Sequence, residues 1–200
     1  MHVVRIGEDE GRTALLVDGV VQSVSPQDGG GYWAAMVPLS PPRRGLILGL
    51  GGGTLARLLQ ARWRTTMALV GVDDDLAVIE TARAVGWLPL PGLEVVIEDA
   101  FTYVWHCAER SFDYIALDLY RGERLARQEL SKPFLRRVHD LLEPSGRVAI
   151  NLFTNTARVR RLERISAVFE VERLVEHGGN LVVHARARRK RRGKQRNIQD

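Results

Sequence analysis

The chain has 200 residues, enough for one domain, and 45% of them are hydrophobic and 26% charged. This composition excludes a collagen-like, coiled-coil or wholly disordered chain. The single cysteine, Cys107, excludes an intramolecular disulfide and a thiolate zinc cluster. The longest apolar runs are shorter than the roughly 18 residues that a membrane-spanning helix needs, and the charged N-terminal segment is unlike a signal peptide. We therefore expect a soluble cytoplasmic protein that does not contact a membrane.

The net charge of +5 is unevenly distributed along the chain. Residues 186–200 hold eight Lys or Arg against one Asp, so the rest of the chain carries a net charge of −2. Because this basic run contains almost no apolar residues, we expect residues 188–200 to form a disordered tail. The favoured interpretation of the tail is a solubilising extension, and binding of nucleic-acid phosphates is the alternative.

The first predicted elements in chain order are strands. Residues 3–6 and 14–24 are rich in β-branched residues and are separated by a polar turn, which predicts a β-hairpin. Residues 32–37 then predict a short helix that Pro38 ends. We expect residues 1–40 to form an N-terminal extension built from this hairpin and helix.

From residue 41 onwards, apolar strand-like runs alternate with helical segments. This alternation predicts an α/β fold with a mostly parallel sheet and helices on both faces. The last two strands are separated by a short glycine-containing turn and must form an antiparallel hairpin, because a parallel crossover needs a dozen or more residues. We therefore expect residues 41–187 to form a Rossmann-like domain around a seven-stranded sheet. The predicted strands are 46–50, 67–72, 93–97, 112–117, 148–153, 169–175 and 181–185, and the predicted helices are 54–64, 76–85, 101–108 and 132–142.

A glycine-rich loop, G-L-G-G-G-T at residues 49–54, lies directly between the first strand of this domain and its helix. Glycines allow backbone N–H groups to approach a ligand closely at a helix N-terminus. Asp73 follows about 20 residues later, at the end of the next strand, where an acid can accept hydrogen bonds from ribose hydroxyls. We interpret the two features as a nucleoside site; the alternative is a tight turn and a solvated acid.

Two further acids follow strands of the same predicted sheet. Asp99 comes after the third strand of the domain and Asp118 after the fourth. Open α/β sheets bind ligands at the carboxyl ends of their strands, so we expect both acids to share a crevice with the glycine loop and Asp73. Asp99 also suits the N-cap position of the following helix, and the two roles are compatible.

These motifs resemble those of class I S-adenosylmethionine-dependent methyltransferases and, within that superfamily, those of the spermidine synthases, which are polyamine aminopropyltransferases. Residues 16–22 resemble the family's L-D-G-x-x-Q strand, and residues 72–79 match its V-[ED]-x-D-x-x-V-I motif. Residues 98–100 match G-D-[AG], and residues 180–183 resemble the last strand of the family. The similarity covers about residues 15–185.

The resemblance implies that the cofactor is S-adenosylmethionine or its decarboxylated form and that no metal is needed. It implies that the glycine loop holds the methionine part of the cofactor, that Asp73 holds the ribose hydroxyls and that Asp99 holds the adenine amino group. By the same resemblance, the cofactor-binding residues are Gly49, Leu50, Gly51, Gly53, Asp73, Asp74, Asp99 and Ala100, and the acceptor-pocket residues are Gln22, Tyr32, Tyr120 and Arg121.

The acceptor side departs from the family pattern. Spermidine synthases carry D-S-S-D-P after the fourth strand, whereas residues 118–122 read D-L-Y-R-G, so Arg121 replaces the second acid. Gly52 stands where the family's glycine loop has an acid that faces the substrate amine. A diamine carries two positive charges, so the loss of two carboxylates predicts weak binding of putrescine. Arg121 favours a carboxylate or phosphate group instead, unless it faces solvent.

We therefore expect a transferase that methylates an unidentified small-molecule acceptor. Asp118 is the predicted catalytic residue, acting either as a general base toward the acceptor or as an acid beside the cofactor. Aminopropyl transfer from decarboxylated S-adenosylmethionine is the first alternative, and a non-catalytic nucleoside-binding or nucleic-acid-associated module is the second. The N-terminal strands are shorter than a full polyamine-synthase β-domain, which leaves open whether the chain forms the family's homodimer.

Overall fold

A computed structural model gives the architecture of the chain. It describes residues 2–25, 27–28, 30–64, 67–121, 124–125, 130–153 and 158–188. For Arg121, Arg124 and Leu125 it describes the backbone alone. The side chain of Arg121 and residues 189–200 of the predicted basic tail therefore lie outside the described residues.

The N-terminal extension is a three-stranded antiparallel sheet followed by a short helix. The second predicted strand is divided into two by a turn at Asp18 and Gly19, whose φ angles are +50° and +84°. Backbone in this left-handed region cannot continue a strand, so the segment folds back on itself. The elements are β1 (Val4–Asp9), β2 (Arg12–Val17), β3 (Val20–Val24) and α1 (Gly31–Met36).

The central feature is a seven-stranded sheet, which confirms the predicted α/β fold. Its strands are β4 (Arg44–Leu48), β5 (Ala68–Asp73), β6 (Leu93–Ile97), β7 (Phe112–Leu117), β10 (Leu142–Phe153), β11 (Phe169–His177) and β12 (Asn180–Ala187), and β8 (Tyr120–Arg121) and β9 (Arg124–Leu125) form a separate small hairpin. The strand order is β11-β12-β10-β7-β4-β5-β6. Within this sheet β12 runs antiparallel to both of its neighbours, as the short final turn predicts.

Helices cover both faces of the sheet and bury two separate cores. Side chains of α1, α2 and α3 fill the core on one face, and those of α4, α5 and α6 fill the core on the other. Sequence analysis missed α6 because four of its nine residues are arginines; Leu162 and Ile165, at helical spacing, were the available signal. The helices are α2 (Thr54–Trp63), α3 (Leu76–Ala84), α4 (Ala100–His106), α5 (Lys132–Leu141) and α6 (Arg158–Ser166).

Candidate active site

Neighbouring strands end at the same level of the sheet. Leu48 of β4 pairs with Leu117 of β7 on one side and with Val72 of β5 on the other. The alignment continues to the sheet edge, because the last residue of β5 pairs with the last residue of β6. The four strand ends therefore lie side by side. Asp73 is the last residue of β5, and the glycine loop, Asp99 and Asp118 lie in the segments that follow β4, β6 and β7.

Gly49 is the point at which the glycine loop touches the segment after β7. Its φ angle is +89°, and a Cβ atom at this position would collide with the carbonyl oxygen of Asp118. The N–H group of Asp118 donates to the carbonyl of Leu48 at 2.9 Å, which holds the two segments together. Glycine is required here by both the backbone conformation and the close approach.

The glycine loop uses its own N–H groups within the protein. Gly49 and Leu50 donate to the carbonyl of Val72, Gly51 donates to Asp73, Gly52 donates to Ser23, and Gly53 donates to Leu50. The carbonyl oxygens of Gly49 and Gly51 accept no hydrogen bond from the described residues. The loop N–H groups are therefore already paired, contrary to the expectation from the sequence that they bind a ligand. The two unpaired carbonyl oxygens are acceptors of the kind that suits an ammonium group.

Asp73 supports the glycine loop from the end of β5. Its Oδ2 accepts the N–H of Gly51 at 2.8 Å, and its Oδ1 accepts the N–H of Asp75 at 3.0 Å. Burial raises the pKa of Asp73, and these two hydrogen bonds act in the opposite direction. Each carboxylate oxygen retains a second lone pair, so Asp73 can still accept hydrogen bonds from a ribose.

Asp99 is the N-cap of α4, which confirms the capping role expected from the sequence. Its Oδ1 accepts the N–H of Thr102 at 2.9 Å and the Thr102 hydroxyl at 3.2 Å. Contact with an adenine amino group stays a prediction. The other predicted cofactor residues are placed as follows: Leu50 and Ala100 are buried, Gly53 precedes α2 with φ +84°, and Asp74 is exposed beside Asp73.

The N-terminal sheet supplies partners of the glycine loop that sequence analysis missed. The hydroxyl of Ser23 in β3 accepts the N–H of Gly52 at 2.6 Å and donates to the carbonyl of Gln22. Thr54, the first residue of α2, exchanges hydrogen bonds with the backbone of Val24. The predicted pocket residue Gln22 faces the loop through its backbone carbonyl. These contacts hold β3 against the glycine loop. A single serine in a strand belongs to no recognisable motif, so no sequence signal marks it for this role.

Arg57 of α2 also contacts both the glycine loop and β3. Its guanidinium donates to the carbonyls of Gly52 and Val24, both at 2.6 Å, and lies 5.3 Å from the centre of the Trp87 ring. Burial lowers the pKa of Arg57 to about 10. One side chain therefore ties α2, β3 and the loop together.

Asp118 is held by donors from two other elements. Its Oδ2 accepts the hydroxyl of Tyr32 at 2.9 Å and the indole N–H of Trp33 at 3.0 Å, and its Oδ1 accepts Nδ2 of Asn151 at 2.8 Å. Tyr32 and Trp33 are neighbours on α1, with ring centres 4.2 Å apart, and Asn151 lies on β10. The structure thus brings Tyr32 to Asp118, as a shared pocket requires, and adds Trp33 and Asn151.

The surroundings of Asp118 favour a carboxylate that can take up a proton. Burial raises the pKa of Asp118, while the three hydrogen bonds lower it. Burial and the nearby Asp118 raise the pKa of Tyr32 well above its usual value, so this phenol stays protonated and donates. Three donors leave one of the roughly four lone-pair sites of the carboxylate for an acceptor molecule. This arrangement suits a general base.

Asn151 should control the proton affinity of Asp118. In Asn151→Leu the carboxylate loses a donor that stabilises its charged form, so the pKa of Asp118 is expected to rise further. The indole N–H resonance of Trp33, which is bonded to the same carboxylate, reports this titration by NMR without an activity assay. Asn180→Leu is the control, because Nδ2 of Asn180 donates to Gly178 instead. An unchanged midpoint in Asn151→Leu would contradict the assignment.

Two buried amide oxygens lie on one face of the sheet, and one of them belongs to Asn151, which donates to Asp118. Oδ1 of Asn151 and Oδ1 of Asn180 accept no hydrogen bond from any residue in the described ranges. Phe153, two residues after Asn151, pairs with Asn180 across β10 and β12, so the two amides are diagonal neighbours on one face of the sheet. Buried acceptors without a donor are uncommon, and these two suit a ligand that donates hydrogen bonds.

Tyr120 closes the site between β7 and β10. Its hydroxyl donates to the carbonyl of Asn151 at 3.0 Å and accepts the N–H of Phe153 at 2.9 Å. Its ring meets that of Phe153 edge-on, with centres 4.5 Å apart. The side chain of Tyr120, a predicted pocket residue, is therefore held against β10 by two hydrogen bonds, near Asp118 in the sequence.

Over the described ranges, no three His, Cys, Asp or Glu side chains are grouped so that they could hold a metal ion. None of the described helices combines the length and the hydrophobicity needed to cross a membrane. Cys107 lies against the core formed with α4 and α5, where burial raises the pKa of its thiol.

Sequence comparison finds two kinds of relative, and no protein-family model matches the chain. The chain is 32% identical over 155 residues to the polyamine aminopropyltransferase of Aeropyrum pernix and 36% identical over 155 residues to that of Pyrobaculum arsenaticum. These matches cover 72% and 70% of this chain and 49% and 52% of the relatives. It is also 34% identical over 134 residues to the trans-aconitate 2-methyltransferase of Methylobacterium radiotolerans, covering 66% of this chain and 47% of that protein. The chain thus spans about half the length of these curated relatives.

Solved structures share the fold at lower sequence identity. A probable spermidine synthase from Corynebacterium glutamicum matches with a TM-score of 0.75 and 18% identity, over 92% of this chain and 77% of that one. Human methyltransferase-like protein 13, in complex with SAH, matches with a TM-score of 0.65 and 20% identity, over 83% of this chain and 77% of that one. These likenesses confirm the predicted Rossmann-like methyltransferase fold.

Proposed function

Because the chain is a spermidine synthase-like member of the class I methyltransferase-fold superfamily, we propose that it is a transferase that binds S-adenosylmethionine or its decarboxylated form. The observation that carries this proposal is the junction of the glycine loop with Asp73 on one side and Asp118 on the other. The unpaired carbonyl oxygens of Gly49 and Gly51 would accept hydrogen bonds from the ammonium group of the methionine part, and Asp73 would hold the ribose.

The preferred reaction is methyl transfer to a small molecule with a nitrogen or oxygen nucleophile. The bond between the methyl carbon and the sulfonium sulfur breaks as the nucleophile forms its bond to that carbon, and Asp118 takes the proton that the nucleophile releases. The amide oxygens of Asn151 and Asn180 would accept hydrogen bonds from the small molecule that receives the methyl group. In-line positioning supplies most of the acceleration in such a transfer.

Aminopropyl transfer is the second candidate. The names of the Aeropyrum and Pyrobaculum relatives favour it, and Asp118 retains the position of the first acid of the family motif. Arg121 and Gly52 oppose it, because they replace carboxylates that a doubly charged diamine needs. Aminopropyl transfer would therefore require an acceptor with less positive charge or acids from elsewhere in the protein.

Calorimetry with three nucleosides separates the candidates. Tighter binding of S-adenosylmethionine than of its decarboxylated analogue supports methyl transfer, and the reverse order supports aminopropyl transfer. Incubation with a panel of amines, hydroxy compounds and carboxylates, including putrescine and trans-aconitate, then shows by mass spectrometry which nucleoside product forms. Failure to bind either cofactor or methylthioadenosine would overturn both enzymatic candidates and leave a non-catalytic module.

Asp73→Ala tests the cofactor side of the site. The substitution removes the acceptor for the Gly51 N–H as well as the predicted ribose contacts, so affinity for the nucleoside should fall by on the order of 1–3 kcal/mol. Calorimetry measures the change, and Glu80→Ala, which removes a surface carboxylate on α3, should leave the affinity unaltered. Equal affinities for Asp73→Ala and the parent chain would remove Asp73 from the proposed site.

A further inference from the structure

Helices α5 and α6 expose cations on the sheet face that α1, α2 and α3 do not cover. Lys132 and Arg136 of α5 and Arg160 and Arg164 of α6 are exposed. Each helix holds one acid, so α5 carries a formal charge of +2 and α6 a formal charge of +3. Within the described ranges, none of these four side chains forms an ion pair. We call these four residues, together with Arg188, the basic face.

Arginines elsewhere on the surface are commonly neutralised by carboxylates. Arg43 contacts both Asp113 and Glu143, at 3.2 and 2.6 Å. Arg83 pairs with Glu80 in the same way. Arg5, Arg62 and Arg64 also form no ion pair within the described ranges, so the basic face differs in number: it holds four unpaired cations on α5 and α6. A positive field of this kind attracts polyanions.

Arg188 connects the basic face to the end of the chain. Its guanidinium donates to the carbonyl of Ser166, the last residue of α6, at 2.6 Å and to that of Phe169, the first residue of β11, at 3.1 Å. Its own carbonyl oxygen lies 3.2 Å from Nε2 of His139 on α5. Arg188, the last described residue, thus contacts both helices. The sequence after it, residues 189–200, holds six Lys or Arg against one Asp.

Trp105 adds an aromatic surface next to these charges. It lies on α4 and is 58% exposed, more than most large hydrophobic side chains of the protein. The guanidinium of Arg137 on α5 lies 5.6 Å from the centre of its ring, so the indole adjoins the helix that carries Arg136. Stacking aromatics beside a positive surface are the combination that binds single-stranded nucleic acids.

We propose that the basic face is a docking surface for a single-stranded nucleic acid. The arginines and Lys132 contact the phosphates, and Trp105 stacks on a base. The proposal rests on charge complementarity between phosphates and the unpaired cations of α5 and α6, two helices that Arg188 links. It does not depend on the proposed transferase activity. The described residues alone form this surface.

Fluorescence anisotropy with a labelled 20-nucleotide single-stranded RNA of mixed sequence tests the proposal on the full chain. Arg136→Glu/Arg160→Glu/Arg164→Glu should lower the affinity at least tenfold at 0.1 M salt. It should also reduce the steepness of the salt dependence by about two, since each lost phosphate contact on a single strand removes about 0.7. The triple Arg-to-Lys variant at the same positions should bind like the parent chain, because phosphate neutralisation requires charge only.

The matched control reverses three exposed arginines elsewhere, Arg5→Glu/Arg62→Glu/Arg64→Glu, with the same change in net charge. Its affinity should stay within about threefold of the parent, and equal losses in both triple variants would reduce the effect to net charge and overturn the proposal. Trp105→Ala should weaken binding about fivefold or more without altering the salt dependence. Binding that disappears on removal of residues 189–200 yet survives the first triple variant would also overturn it, as would preference for phosphatidylserine vesicles over RNA.

Discussion

Gly49→Ala is expected to destabilise the protein and to abolish nucleoside binding. The new Cβ atom would collide with the carbonyl oxygen of Asp118, and a φ angle of +89° is itself unfavourable for alanine by roughly 1–2 kcal/mol. Moving backbone in two buried segments adds to that, so we expect a loss of about 3 kcal/mol or more in the free energy of unfolding. Thermal unfolding and calorimetry with S-adenosylmethionine should show a lower melting temperature and loss of measurable binding.

Gly86→Ala separates the collision from the backbone strain. Gly86 also has a positive φ angle, +73°, but a Cβ atom there would meet nothing within 4 Å. This variant should lose about 1 kcal/mol of stability and bind the nucleoside as the parent chain does. If both variants lost similar stability and both still bound the nucleoside, the close contact between the glycine loop and Asp118 would not be needed for binding.

Asp118→Asn is expected to abolish most of the transfer reaction while leaving the cofactor bound. An amide cannot take up the proton that the acceptor releases, and general bases contribute about 10²–10⁴-fold to rates. We therefore expect kcat to fall at least 100-fold with the acceptor identified by the product screen, and the nucleoside dissociation constant to stay within a few-fold. The acid side of the pH–rate profile should report the pKa of Asp118, which burial raises above that of an ordinary aspartate.

The control for this variant is Asp113→Asn, at the other end of the same strand. Asp113 accepts the N–H groups of Arg43 and Arg44, far along β7 from the glycine loop, so kcat should change by less than about twofold. A fall of less than tenfold in Asp118→Asn would show that positioning alone drives the reaction. Asp118 would then act as an acid beside the cofactor rather than as a base.

The fold was predictable because its signals are local and repeat along the chain. Short apolar runs alternating with helical segments indicated the sheet, and the short turn before β12 required an antiparallel final strand. The strand ends then placed the glycine loop, Asp73 and Asp118 at one edge without knowledge of side-chain positions. The turn at Asp18 and Gly19 and the arginine-rich α6 were missed, because β-branched or charged composition conceals both.

The supporting residues of the site were not predictable, because they act through contacts between distant segments. Asn151 reaches Asp118 across 33 positions of sequence, and Ser23 reaches Gly52 across 29. Neither residue belongs to a spaced motif, and each type is common in strands and turns. The pairing of the loop N–H groups was likewise hidden, since a glycine pattern shows that a backbone bends without showing where its donors point.

The hydrogen bonds between Ser23 and Gly52 and between Thr54 and Val24 make the small N-terminal sheet sensitive to events in the neighbouring domain. A nucleoside that stabilises the glycine loop should also stabilise β3, so amide protons in this strand should exchange more slowly when the nucleoside is bound. Deuterium uptake in β3 would therefore report nucleoside binding at the glycine loop. A shortened chain that begins after β3 would leave the N–H group of Gly52 without its acceptor. The first 24 residues therefore support the proposed nucleoside site through the glycine loop.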